Sequence, residues 1–183
     1  MAKTVVWQVI PHLAMGGATR VALWLCQYLD PEQYEVALLT GSHDGQEGNL
    51  WDDANRLVPV QVLPDLRRDA YLPGDVKTYR TLRALIRERG PDIVHAHGWA
   101  FHDFMNPLAR AFAETSTRRA LRDAAAIVAV SEATHAKGLK AGIGKPERYH
   151  VIYPGVDLAR FTREGCDPAQ ARRELPGSES LTR

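Results

Sequence analysis

The sequence predicts an α/β protein, an open parallel sheet with helices on both faces, and three observations carry that prediction. Strand-like and helix-like segments alternate along the 183 residues, the pattern that parallel strands joined by crossover helices produce. The strand-like runs, such as Val5-Val6-Trp7-Gln8-Val9-Ile10 and Ile127-Val128-Ala129-Val130, are apolar almost throughout, as burial on both faces of a sheet requires. The first of these runs turns through Gly16-Gly17 into a segment with Val21, Trp24, Leu25, Tyr28 and Leu29 at helical spacing.

In chain order, strands are expected at 4–10, 34–40, 58–63, 92–97, 126–130 and 149–153, and helices at 17–29, 75–89, 103–125 and 131–141. Asp75 and Ser131 are N-cap candidates, and Gly90-Pro91 and Gly142 are natural helix stops. Residues 41–56 are rich in Gly, Asp and Asn and read as a surface loop with at most a short helix. Residues 64–74 form a second connection, and 176–183 carry no packing pattern. The length suits one domain with a real core.

A net charge of +1 gives no electrostatic case for a nucleic-acid partner. Basic residues gather locally at Arg67-Arg68, Arg87 and Arg89, Arg118-Arg119 and Arg172-Arg173. These read as solvated helix faces, with peripheral contact to a membrane surface as the functional alternative. Cys26 and Cys166 form no disulfide framework, and Cys26 falls beside the apolar stripe of the first helix, as a small core residue would. No signal-peptide pattern and no membrane-spanning run is present, so a cytoplasmic location is expected.

Ligands of an open parallel sheet gather at the carboxyl edge of its strands. That edge should collect His12, Gly16 and Gly17 after the first strand and His95 and His97 at the end of the fourth. Gly98, Trp99, His102 and Asp103 follow directly; Ser131 and Glu132 close the fifth strand, and Pro154, Gly155, Val156 and Asp157 the sixth. A strand that turns through two glycines into a helix leaves first-turn N–H groups uncovered, a seat for a phosphate. A nicotinamide site would need G-x-G-x-x-G and a carboxylate closing the second strand, which instead ends Leu39-Thr40-Gly41-Ser42. A P-loop needs Gly-Lys-Ser/Thr, which does not occur. A metal hydrolase built on His95 and His97, which alternate onto one strand face, stays open as an alternative, with His12, His102 or Asp103 as further ligands.

Several segments, in order, resemble the amino-terminal domain of glycosyltransferase family 4. The run from His12 to Arg20 resembles that family's Gly-Gly-Ala-Glu-Arg loop, with Thr19 where Glu is usual. Pro91-Asp-Ile-Val-His-Ala-His97 is similar to its fourth-strand motif, and Gly98-Trp-Ala-Phe-His102 to a later loop of bacterial lipopolysaccharide- and capsule-type members. Val130-Ser-Glu132, Val151-Ile-Tyr-Pro-Gly-Val-Asp157 and Phe161 resemble the segments before the interdomain crossover.

The resemblance implies one half of a GT-B fold, a Rossmann-like domain spanning 1–165, then a crossover-helix remnant and tail at 166–183. It implies retaining, metal-independent hexosyl transfer from a nucleotide-sugar to a lipid-linked or polysaccharide acceptor, with no cofactor. On these positions Gly16, Gly17 and Arg20 would meet the donor's diphosphate, and His97 and His102 would stand at the reacting centre. His12, His95, Trp99, Asp103, Ser131 and Glu132 would face the acceptor. Two departures are visible. The nucleotide-sugar domain with its glutamate pair does not follow, so the chain is expected to be inactive alone, a non-catalytic sugar- or phosphate-binding remnant being the alternative. A βα unit between the His-x-His segment and the His-Gly-Trp loop is also absent, the two motifs being fused at His97. The uncovered interdomain face is expected to favour self-association or a partner.

Overall fold

The computed structural model describes residues 2–42, 50–67, 72–97, 118, 121–122 and 124–155. It divides into two compact units, Met1–Met105 and Asn106–Arg183.

The first unit is a parallel sheet with a helical layer on each side. Its elements are β1 (Thr4–Ile10), α1 (Gly17–Tyr28), β2 (Tyr34–Thr40), α2 (Trp51–Leu57), β3 (Val60–Val62), α3 (Leu72–Arg89) and β4 (Ile93–Ala96). The strand order is β3-β2-β1-β4, and every pairing is parallel, β1 meeting β2 from Thr4↔Tyr34 to Ile10↔Thr40 and β4 from Val6↔Ile93 to Val9↔Ala96. Side chains alternate between the faces of a strand, and two cores result. Ile10 and Leu38 pack with Ala22, Leu23 and Cys26 of α1 and Leu50 and Ala54 on the α2 side. Trp7, Val9 and Leu39 pack with Leu63 and, from α3, Leu82, Leu85 and Ile86. Two-sided burial explains why these strands are apolar without alternation. Cys26 is a core residue as expected, its thiol pushed up to about 11 by burial.

β1 and β2 have the bounds the sequence predicts, and the other strands are two or three residues shorter. α3 begins three residues before the expected start, so Asp75 sits inside its first turn instead of capping it. Pro73 accounts for the shift, since its fixed φ suits the opening turn of a helix. Gly90 and Gly142 do stop their helices, with φ of 57° and 65°. The expected helix at 103–125 lies almost wholly outside the described residues.

The second unit holds β5 (Ile127–Ala129), α4 (Glu132–Lys140), a 3₁₀ turn at Pro146–Arg148 and β6 (Tyr149–Val151), the strands pairing in parallel. Ser131 caps α4 as expected: its Oγ accepts from the Thr134 N–H at 3.2 Å. Among the described residues the strands form two sheets, a four-stranded one in the first unit and a two-stranded one in the second. Ile93 and Val94, on opposite faces of β4, are 46% and 40% exposed.

Candidate functional site

The described candidate site lies at the carboxyl end of the first unit's sheet. Two backbone bonds fix the loop between β1 and α1: Gly41 N–H donates to Pro11 O at 3.1 Å, and Leu50 N–H to Leu13 O at 2.9 Å. Leu13, 1% exposed, anchors the loop in the core. The chain then surfaces, and Met15, Gly16, Gly17 and Ala18 are all exposed. Gly16 is the N-cap of α1, yet no side chain caps this helix and its first turn holds no acidic residue. The first intrahelical bond runs from Arg20 N–H to Gly16 O, leaving the N–H groups of the first turn to solvent or a ligand.

The glycines themselves are not demanded by the fold. Gly16 has φ 179°, extended backbone open to any residue, and a Cβ on Gly16 or Gly17 would meet nothing within 4 Å. Gly41 is the opposite case, since a Cβ there would run into the carbonyl oxygens of Leu66 and Pro11. Its role in drawing the loops after β1, β2 and β3 together was not read from the sequence; a Gly directly after a strand is the only signal that pointed there.

His95 and His97 share a face of β4, as alternation predicts, and their ring centroids lie 4.2 Å apart at a 32° tilt. His97 N–H donates to Val9 O at 2.8 Å, which levels it with the end of β1. Its Nε2 lies 2.6 Å from Oε1 of Gln8, a side chain only 1% exposed. Burial pushes the His97 imidazole down to about 4, with the neighbouring His95 adding to the effect, and burial also lowers His95. Both rings are therefore neutral near pH 7. A neutral His97 must then donate its Nε2–H to the Gln8 oxygen, which leaves Nδ1 as an acceptor. Gln8 was passed over in the sequence as one more residue of an apolar strand; a lone amide in such a run was the available signal.

The remaining candidates are placed as follows. His12 accepts a long bond, 3.4 Å, from the Ala14 N–H at Nδ1. Arg20 lines a groove between α1 and α2 with Trp24, Asp53 and Arg56. Ser131 and Glu132 belong to the second unit, Ser131 as the cap of α4 and Glu132 with Oε2 3.6 Å from Nδ1 of His135. Trp99, His102 and Asp103 lie outside the described residues, as do Gly98, Val156 and Asp157. Among the described residues no group of three His, Cys, Asp or Glu could hold a metal ion. In the Pro91-Asp92 motif, Asp92 is structural: its Oδ2 accepts from Val5 N–H at 2.8 Å, and its own N–H donates to Val5 O.

A parallel sheet covered by helices on both faces, with an uncapped helix at its carboxyl rim, defines a Rossmann-like domain. The model of Glycosyltransferase Family 4 matches residues 15–160, and the chain belongs to this family. No curated protein matches the chain. Among solved structures, a glycosyltransferase from Rickettsia africae ESF-5 superposes with TM-score 0.64 at 17% identity, covering 94% of this chain and 48% of that one. Anabaena Alr3699/HepE in complex with UDP and glucose gives TM-score 0.59 at 18% identity, covering 93% and 48%. The same protein in complex with UDP-glucose gives 0.60 at 19%, covering 93% and 49%. These likenesses establish the GT-B, Rossmann-like fold, and the chain spans about half the length of each of these structures.

Proposed function

We propose that this chain is the acceptor-side half of a retaining glycosyltransferase that moves a hexosyl group from a nucleotide-sugar to a lipid-linked or polysaccharide acceptor. The observation that carries the reading is the open N-terminus of α1, with Gly16 and Gly17 exposed at the carboxyl rim and no packing reason to be glycine. A diphosphate leaving group needs preorganised N–H donors where its charge develops, and a Cβ would crowd that space. The HepE structures hold UDP, with glucose or as UDP-glucose, which favours a uridine nucleotide as the first donor to try.

In this reading the bond from the anomeric carbon to the diphosphate oxygen breaks as the acceptor oxygen bonds to the same face. The acceptor proton leaves to the departing diphosphate, because His97, held down to about 4, is a poor base at neutral pH. His97 instead orients the acceptor hydroxyl through Nδ1, with Gln8 fixing the ring. His102 serves the same centre. Arg20 adds positive charge near the diphosphate, and His12, His95, Trp99, Asp103, Ser131 and Glu132 face the acceptor. Neither metal nor cofactor takes part. Nucleotide-sugar specificity and turnover require a donor-binding domain, in the same polypeptide or in a partner, and the 183-residue chain assayed by itself transfers nothing. The protein works in the cytoplasm, at the inner face of the membrane where lipid-linked acceptors are found; no helix among the described residues is long and apolar enough to cross a membrane.

The experiment is a titration of the isotope-labelled chain with UDP and with pyrophosphate, read as amide shifts. The largest shifts are expected at Gly16, Gly17 and Ala18. Shifts confined to other residues, or none at all, overturn the reading. A parallel assay with UDP-glucose addresses the inactivity claim, which any clear turnover by the purified chain refutes.

A further inference from the structure

α1 and α2 leave a groove between them that neither Gly16 nor Gly17 lines. Its walls include Arg20, Leu23 and Trp24 of α1 and Asp53, Arg56 and Leu57 of α2. On each helix the three residues fall at i, i+3 and i+4, a single stripe facing the other helix. Leu23 is 3% exposed and belongs to the core beneath, so packing fixes the floor. Trp24 and Leu57 extend that floor toward the surface. The groove offers about 190 Å³. Since roughly 150 Å³ holds a benzene ring in a protein interior, one substituted six-membered ring fits.

The charges of the groove do not balance. Asp53 Oδ1 lies 3.9 Å from Arg56 Nη1, an i,i+3 pair within α2, which accounts for the carboxylate. Arg20 is the one charged residue among the twelve of α1. It is half-buried, and no hydrogen bond or ion pair engages its side chain among the described residues. A partly desolvated guanidinium without a counter-charge is costly, and a carboxylate that forks onto it offsets the cost. One unneutralised cation calls for one anion. A polyphosphate would bring its further charge against Asp53, and a cation would face both arginines. The floor selects again, because a ring laid on Leu23, Trp24 and Leu57 buries apolar area that a bare inorganic anion does not have.

We infer that the α1–α2 groove binds a small organic monoanion, a carboxylate carried on an apolar six-membered ring, with Arg20 holding the carboxylate and Trp24 flanking the ring. Nothing in this assignment depends on the transfer reaction, and Arg20 is the one residue the two sites share.

The test is a titration of the isotope-labelled 183-residue chain with benzoate, benzamide, acetate and methyl glucoside, read at the Trp24 indole N–H, which the Trp24→Phe variant identifies. Benzoate is expected to shift that signal saturably. Benzamide, acetate and the glucoside should each bind at least about tenfold more weakly, the step that a hydrogen bond to a charged group supplies. Arg20→Gln keeps a good helix former and should lower benzoate affinity to that of benzamide, with an unchanged urea midpoint. Leu57→Ser, on the other wall, should weaken benzoate and benzamide alike. Arg83→Gln, on α3, should bind as the parent does. No shift with any probe, benzamide or acetate binding as tightly as benzoate, or parental benzoate affinity in Arg20→Gln or Leu57→Ser overturns the inference. A glucoside that binds as tightly as benzoate also overturns it, and would assign the groove to sugars. These readouts use the Trp24 indole without any nucleotide, and not the Gly16–Ala18 amides, so this inference and the nucleotide reading fail separately.

Discussion

Two of the described helices, α1 and α4, each follow a parallel strand and solve the same problem at their start in opposite ways. α4 closes its own N-terminus: Ser131 Oγ accepts from Thr134 N–H at 3.2 Å, its hydroxyl meets Thr134 Oγ1 at 3.0 Å, and Glu132 adds negative charge in the first turn. α1 leaves its N-terminus open, with Gly16 as cap, no side-chain bond and no acidic residue in the first turn. A Ser at the cap is worth roughly a few tenths of a kcal/mol more than the Gly that α1 carries there. That stability is forgone at α1, where the proposed function seats the donor's phosphates. A helix start satisfied from within has little left for a ligand; one left unsatisfied has N–H groups and a dipole to offer.

The comparison is broken most severely at a third turn, where glycine serves packing and nothing else. Gly41→Ala would drive a methyl into the Leu66 and Pro11 carbonyls, which hold the loops after β3 and β1. Backbone cannot yield as a side chain tip does, so a loss of at least about 3 kcal/mol is expected, read as a fall in the urea midpoint. A midpoint within error of the parent would show that these loops are not locked together at Gly41.

How much of this was legible in the sequence follows from which forces are local. Strand and helix placement came from periodicity, and β1 and β2 were read to the residue because each is a long apolar run bounded by turn formers. α3 was misread at its start because Asp75 is as good in a first turn as at a cap, and Pro73 decided between them. The glycine pair at 16–17 was visible, but its freedom from packing constraint was not, nor was the constraint on Gly41, which depends on Leu66 arriving from twenty-five residues downstream. The His95–His97 pair could be read from alternation along β4. Its link to Gln8 could not, because that contact spans 89 residues and follows only from the register of β4 on β1.

Acid titration should give the next largest effect, and it tests whether the rim is as buried at His97 as it is open at α1. The folded-state His97 titrates near 4 against an ordinary 6.5. An unfolded chain therefore binds a proton through that window while the folded one does not, and stability falls as pH drops from about 6.5 to about 4, then levels. At 1.36 kcal/mol per unit the upper bound is about 3 kcal/mol. Urea midpoints at several pH values should show this slope in the parent and a flatter one in His97→Gln. Equal slopes would place the titrating group elsewhere.

Substituting the glycines separates ligand binding from folding. Gly17→Ala puts a better helix former at the first helical position, so stability should hold or rise by up to about 1 kcal/mol. Gly16→Ala is free of clash and should be close to neutral. If the space above the first turn seats a diphosphate, each variant weakens UDP or pyrophosphate binding by about tenfold, or 1.4 kcal/mol, measured by calorimetry. Unchanged affinity in both would leave the open helix start without a function.

The smallest expected effect comes from opening the closed helix. Ser131→Ala removes the oxygen that accepts from Thr134 N–H, and the expected loss is about 1 kcal/mol, confined to the second unit and visible as faster amide exchange across α4. It leaves the Gly16–Ala18 amides untouched. The acceptor role proposed for Ser131 adds a further requirement, because its hydroxyl is already occupied by the cap and has one lone pair and its rotor left to offer a sugar. Ser131→Thr keeps both the cap and the hydroxyl and should restore stability. If it also restores acceptor affinity lost in the alanine variant, one oxygen serves both ends; if only stability returns, the residue is a cap alone, and the contrast between a closed and an open helix start is complete.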